Sequence, residues 1–196
     1  KYKSLSLITG NAVEYPAGVN AGLSNVKLSI MNTGNTQYWA GTSWESIPEE
    51  WLTATGAANW NYGAVGWATG NIYRIKTKAS DLASNTETPG TGLTFVFDNT
   101  DPSSTVTYPT NNAKVPSLAI ISGTGTDYPG GTNAGINVIK VSIKNTSNGN
   151  YWTGSTWTDT ESWGPSSGTS NWTYSTVPNW GNGLTYILSS KAEDNA

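Results

Sequence analysis

A long internal repeat constrains this sequence more than any other feature. The segments at 21–30 and 134–143 read AGLSNVKLSI and AGINVIKVSI, and those at 38–44 and 151–157 read YWAGTSW and YWTGSTW. Both pairs have the same offset of 113 positions (134 − 21 and 151 − 38), as do YPAG at 15–18 and YPGG at 128–131. Self-similarity at a fixed spacing indicates a tandem array. We therefore expect two copies of one module, taken from a longer array with a 113-residue period, and we call residues separated by this offset counterparts.

The boundary between the two modules is predicted from the part that occurs once, residues 84–113. It holds an apolar run at 93–97, a turn at 98–102 and a second β-rich run at 105–108. A proline after one strand and before the next is typical of a junction. We place the junction at Asp98, Asn99, Thr100, Asp101 and Pro102. The modules are then residues 1–97, expected to lack an opening strand, and 98–196, expected to lack a closing strand.

Short β-rich runs separated by turn residues predict an all-β fold. Ser, Thr and Asn make up 71 of 196 residues, and these side chains suit strands and turns better than helices. The predicted strands of the first module are 5–8, 26–30, 38–44, 60–62, 72–79 and 93–97, and those of the second are 105–108, 118–121, 138–143, 151–157, 172–174 and 185–191. Several short antiparallel strands per hundred residues indicate an immunoglobulin-like β-sandwich.

Composition excludes several classes of function. The chain has no Cys and no His, so Ser-His-Asp, Cys-His and Cys-ligated zinc chemistry are absent, and we expect no enzyme. A net charge of −3 gives no electrostatic footprint for nucleic acid. No apolar run approaches the roughly 18 residues of a membrane span, so we expect no membrane insertion.

The single-copy stretch and the residues before it carry a resemblance to a known family. KASDLASN at 78–85, an apolar strand and DNTDP at 98–102 resemble the repeated bacterial Ig-like domains of large cell-surface and adhesin-type proteins. Ser84 stands where that family usually has Gly, and Asp101 where a small residue is usual. The resemblance implies an extracellular, elongated, non-catalytic array on a bacterial surface.

Tryptophan is the first candidate for a binding site. Flat aromatic faces can stack on sugar rings, but they can equally pack a domain that has no disulfide, where each ring buries about 150–250 Å². Both interpretations stay open. We expect the most exposed members in Gly/Asn-rich loops, and these are the candidate carbohydrate-binding residues Trp44, Trp67, Trp157 and Trp180.

Acidic residues near the junction are the second candidate. Calcium takes six to eight oxygen ligands, and clustered Asp at a junction can supply them, which makes Asp98, Asp101 and Asp127 candidate ligands. The alternative is capping, because Asp in a tight turn binds its own backbone without a metal. We expect no cofactor, with calcium at the junction as the open alternative.

Together these features predict a structural repeat that acts as stalk, spacer or filament subunit in adhesion or surface assembly. Its expected partners are neighbouring copies of the same repeat or chain. The alternative is a carbohydrate-binding repeat with surface glycans as partners. Because each module is predicted to lack one strand, either the array is continuous or neighbouring chains exchange strands.

Overall fold

The computed structural model describes residues 1–15 and 18–196. Pro16 and Ala17, which belong to the repeated segment 15–18, lie outside the described residues. The chain divides into two compact units. The first unit is Lys1–Asn99 with Gly131–Asn133 and Ala196, and the second is Thr100–Gly130 with Ala134–Asn195.

The fold is all-β, as predicted, and its sheets are antiparallel β-sandwich sheets. The strands of the first unit are β1 (Leu7–Asn11), β2 (Leu23–Asn32), β3 (Gln37–Trp39), β4 (Trp44–Glu45), β5 (Leu52–Thr53), β6 (Asn59–Gly63), β7 (Asn71–Asp81) and β8 (Leu93–Phe97). Those of the second are β9 (Ser103–Tyr108), β10 (Ile121–Thr126), β11 (Ile136–Asn145), β12 (Tyr151–Trp152), β13 (Trp157–Thr158), β14 (Gly164–Pro165), β15 (Asn171–Tyr174) and β16 (Tyr186–Asp194). Among the described residues, no helix is long and apolar enough to cross a bilayer.

Each unit pairs its strands into a large and a small sheet. In the first unit the large sheet has the order β4-β3-β2-β7-β8, with β5 also on β2, and the small sheet is β1-β6. In the second unit the large sheet has the order β13-β12-β11-β14, with β16 also on β11. The small sheet of the second unit has three strands, in the order β15-β10-β9.

The central strand of the large sheet contributes buried side chains to the core of each unit. Alternate side chains of β2 point inward, so that Val26, Leu28 and Ile30 are at most 1% exposed. In β11 the same alternation buries their counterparts, Ile139, Val141 and Ile143. Strand β11 begins and ends at the counterparts of the residues that bound β2. The apolar alternation therefore identifies the central strand of both units.

Two kinds of predicted strand bounds are wrong. Strands β1 and β10 lie at Leu7–Asn11 and Ile121–Thr126 rather than at 5–8 and 118–121, because the Leu5 and Leu118 carbonyls accept indole N–H bonds before these strands begin. The predicted strands 38–44 and 151–157 are each two short strands around a turn. Gly41 and Gly154 occupy these turns at φ values of 97° and 102°, a conformation that glycine adopts without strain.

Candidate functional site

A cluster of aromatic rings lies against the core of the first unit. Trp67 is partly buried and packs edge-on against Tyr73, with ring centroids 4.7 Å apart, and against Phe95 at 5.3 Å. Its indole Nε1–H donates to the Leu5 carbonyl oxygen at 2.8 Å. Tyr73 is fully buried, and burial raises the pKa of its hydroxyl. The Trp67 ring is thus fixed by packing and by a hydrogen bond.

The second unit holds counterpart rings in nearly the same geometry. Trp180 packs edge-on against Tyr186 at 4.8 Å, and its Nε1–H donates to the Leu118 carbonyl oxygen at 2.6 Å. The Gly181 N–H donates to the Tyr186 hydroxyl at 2.9 Å. Trp157 stacks on the same tyrosine at 5.9 Å. Tyr186 therefore lies at the centre of this cluster, as Tyr73 does in the first unit.

The four candidate carbohydrate-binding tryptophans all contact these clusters. Trp44, Trp67, Trp157 and Trp180 are partly buried and pack on the hydrophobic cores of their units. Trp44 also donates from Nε1 to the Gly66 carbonyl oxygen at 2.6 Å. A sugar platform needs an open ring face, whereas these rings contact other aromatic rings. Sugar binding at these four positions stays a prediction.

Two further tryptophans make cation–π contacts with lysines. The Lys78 ammonium lies 4.0 Å from the Trp51 ring centroid, and the Lys191 ammonium lies 4.6 Å from that of Trp163. A cation at this distance is attracted to the electron-rich face of the indole. These two ring faces are therefore already occupied.

The predicted metal ligands lie in both units, so each is described within its own. Asp98 follows β8, is buried, and accepts a bond from the Thr69 hydroxyl at 3.1 Å. Asp101 is exposed and belongs to the second unit. The division between the units falls between Asn99 and Thr100, within the predicted junction 98–102.

Asp127, the third predicted ligand, binds backbone in the second unit. One of its carboxylate oxygens accepts the Tyr128 N–H at 3.0 Å and the other accepts the Gly135 N–H at 2.5 Å. A carboxylate oxygen of Asp194 lies within 4.8 Å of Asp127. These bonds follow the capping interpretation, and calcium binding stays a prediction. Sequence reasoning left Asp194 out of the candidate ligands, although it recurs with Asp81 at the 113-residue spacing.

A cleft of about 620 Å³ opens at the end of β1 in the first unit. One wall consists of Asn11, the last residue of β1, and residues 12–15 that follow it, and the other consists of residues 79–81 at the end of β7 together with 85–87. Trp60 and Val26 contribute apolar surface to it. Among the described residues of the first unit, no strand pairs with β1 on the edge opposite β6.

This cleft escaped the analysis of single residues because backbone forms much of it. The sequence feature related to it is the single-copy stretch 84–113, from which we predict that the first module lacks its opening strand, and this stays a prediction. No protein-family model and no curated protein matches the chain.

Proposed function

We propose that the chain is a non-catalytic structural repeat of an extracellular bacterial surface protein, which acts as a stalk, spacer or filament subunit. In this proposal each unit is an immunoglobulin-like module of the repeat array, and its partners are neighbouring copies. The role is mechanical: each module is a stably folded unit, and the length of the array increases with the number of copies.

The observation that carries the proposal is the placement of the tryptophans. All ten lie among the described residues, and none is fully exposed: Trp39, Trp60 and Trp172 are buried and the other seven are partly buried. A stalk module without disulfides needs such rings for its own stability, because the burial of large aromatic side chains supplies stabilisation that a disulfide would otherwise give. A sugar-binding repeat would instead present several of them on one open face.

Quenching of tryptophan fluorescence tests this proposal directly. Acrylamide is titrated into the full chain, alone and in the presence of each member of a panel of surface polysaccharides. The proposal predicts blue-shifted emission that is poorly quenched and that no polysaccharide changes.

A single polysaccharide that shifts the emission and protects it from acrylamide would contradict the spacer role and favour a carbohydrate-binding repeat. The variants Trp44→Phe and Trp157→Phe form the matched pair that would then locate the binding site. Loss of binding in one of them, with an unchanged unfolding midpoint, would assign the site to that unit.

A further inference from the structure

The two small sheets differ by one strand. In the second unit β10 pairs with β15 on one edge and with β9 on the other. In the first unit the counterpart of β10 is β1, which pairs with β6. At Asn11, the end of β1, the chain enters the wall of the cleft described above, which residues 12–15 continue.

The cleft lies where the second unit holds β9. Strand β9 pairs with residues 122–126 of β10, and the Ser104 hydroxyl lies 2.9 Å from the Ser190 hydroxyl of β16. The counterparts of residues 124–126 and of Ser190 are residues 11–13 and Thr77, and all of these line the cleft. The first unit is therefore open at the position that one strand fills in the second.

Backbone groups in the cleft are oriented for pairing. The Ala12 N–H donates to the Ala58 carbonyl oxygen beside β6, as the Gly125 N–H does to the Ser170 carbonyl oxygen in the second unit. Because successive residues of a strand point their backbone groups to opposite sides, Asn11 and Val13 direct theirs toward the cleft. Both residues are exposed. A free row of such groups is a template for another strand.

Side-chain burial differs in the same sense. Ile121 at the start of β10 is 0% exposed, whereas its counterpart Ile8 is partly exposed. Trp172 is 1% exposed, whereas Trp60 is 8% exposed. In β9 the side chain that packs on the core is Val106, which is flanked by Ser and Thr. The core of the first unit thus lacks the cover that a strand with one central Val provides.

We propose that this cleft binds an extended strand with the sequence pattern of β9, SSTVTY, which adds to the free edge of β1 by antiparallel pairing. We assign that strand to a repeat joined ahead of the first unit in the same polypeptide. This assignment rests on the proposed array. The recognition mode is β-strand addition, in which main-chain hydrogen bonds give affinity and the central valine gives register.

An extended chain tests the proposal with native spacing. A copy of residues 98–113 is placed directly ahead of Lys1, since the counterpart of Lys1 is Lys114. Amide hydrogen exchange is then measured at Asn11 and Val13. Their exchange should slow by about tenfold or more, because buried valine and new ladder bonds both stabilise the closed state. Exchange at their counterparts Thr124 and Thr126, already paired with β9, should not change.

Two matched controls separate strand addition from a general effect of the extension. One carries Val106→Asp in the copied segment alone, and the other carries the same sixteen residues in scrambled order. Both should leave exchange at Asn11 and Val13 at the rate of the unextended chain. If the extended chain precipitates, a free peptide of residues 100–110 is added to the unextended chain and the same amides are followed.

Three results would overturn the inference. Equal protection by the copied and the scrambled segments would show that the cleft does not select this strand. No change in exchange at Asn11 and Val13 would show that it takes no strand. Protection that rises with the concentration of the unextended chain would assign the occupant to a second copy instead. Polysaccharide binding in the fluorescence assay would leave these amides unaffected, so the two proposals fail separately.

Discussion

Truncation of Trp67 gives a quantitative test of the aromatic cluster. Its ring contacts Tyr73, Phe95 and Phe97 at centroid distances of 4.7, 5.3 and 6.2 Å. Replacing a core tryptophan by alanine costs about 3–5 kcal/mol of unfolding free energy, and the partly buried Trp67 should lie at the lower end of this range. The counterpart Trp180 also packs on a tyrosine, Tyr186. The two phenylalanines lie on β8, which belongs to the first unit, so they contact Trp67. Since each aromatic pair adds about 0.5–1.5 kcal/mol, Trp67→Ala should cost about 1–3 kcal/mol more than Trp180→Ala.

Calorimetry of the full chain, with hydrogen exchange to assign each transition to a unit, measures both costs. For a unit of about a hundred residues, 1 kcal/mol corresponds to roughly 4–8 °C in the midpoint. Trp67→Ala should lower the midpoint of the first unit and leave that of the second unchanged. A loss below about 0.5 kcal/mol, the range of ordinary surface substitutions, would refute the argument that this ring is a packing element. Equal costs at the two positions would refute the role of the phenylalanines.

Three further predictions concern pH and backbone contact. Burial raises the pKa of the Tyr73 hydroxyl in the folded chain. The stability that this tyrosine contributes is therefore complete below its unfolded pKa near 10 and is lost as the pH rises through its folded pKa. The variant Tyr73→Phe should flatten the alkaline limb of a plot of urea midpoint against pH. The hydrogen bond from Lys140 lowers the pKa of Glu193 from its ordinary 4.5. The stability from this pair is therefore present above 4.5 and is lost as the pH falls through the lower pKa of the folded chain. Glu193→Gln should flatten the acid limb of the same plot, and an unchanged acid limb would contradict this. A Cβ at Gly123 would overlap a carbonyl of β9 and the indole beneath, whereas one at Gly10 would meet the indole alone. Either alanine should cost about 1–3 kcal/mol by urea unfolding, but hydrogen exchange should detect release of β9 in Gly123→Ala.

The sequence predicts the central strands better than the edges. The alternation of Val26, Leu28 and Ile30 is a strong signal because every second side chain enters the core. The counterpart strands β1 and β10 are harder to locate. Gly10 and Gly123 lie within them because indole rings pack directly on their backbone, and a glycine in a strand is typical of a break. Two-residue strands such as β5 and β14 give no periodic signal at all.

The candidate sites were predictable only in composition. Gly/Asn-rich loops identified the candidate tryptophans, and nearness to the junction identified the candidate Asp residues, but neither signal distinguishes packing or capping from binding. What distinguishes them is the direction of each ring and the partner of each indole N–H, and these depend on tertiary contacts between residues far apart in the chain, as between Trp67 and Leu5. The cleft beside β1 follows from strand order, which the single-copy stretch indicated without naming its lining residues.

The paired indoles of the short hairpins have a spectroscopic consequence. Trp39 and Trp44 lie 5.4 Å apart at 59°, and Trp152 and Trp157 lie 5.5 Å apart at 57°. Two indoles this close and this inclined couple their electronic transitions, which produces a pair of circular-dichroism bands of opposite sign. Those bands overlap the backbone signal, so the spectrum of this all-β chain will not resemble that of an ordinary sheet protein. Their loss on heating will report when the hairpin rings separate, independently of the strands around them.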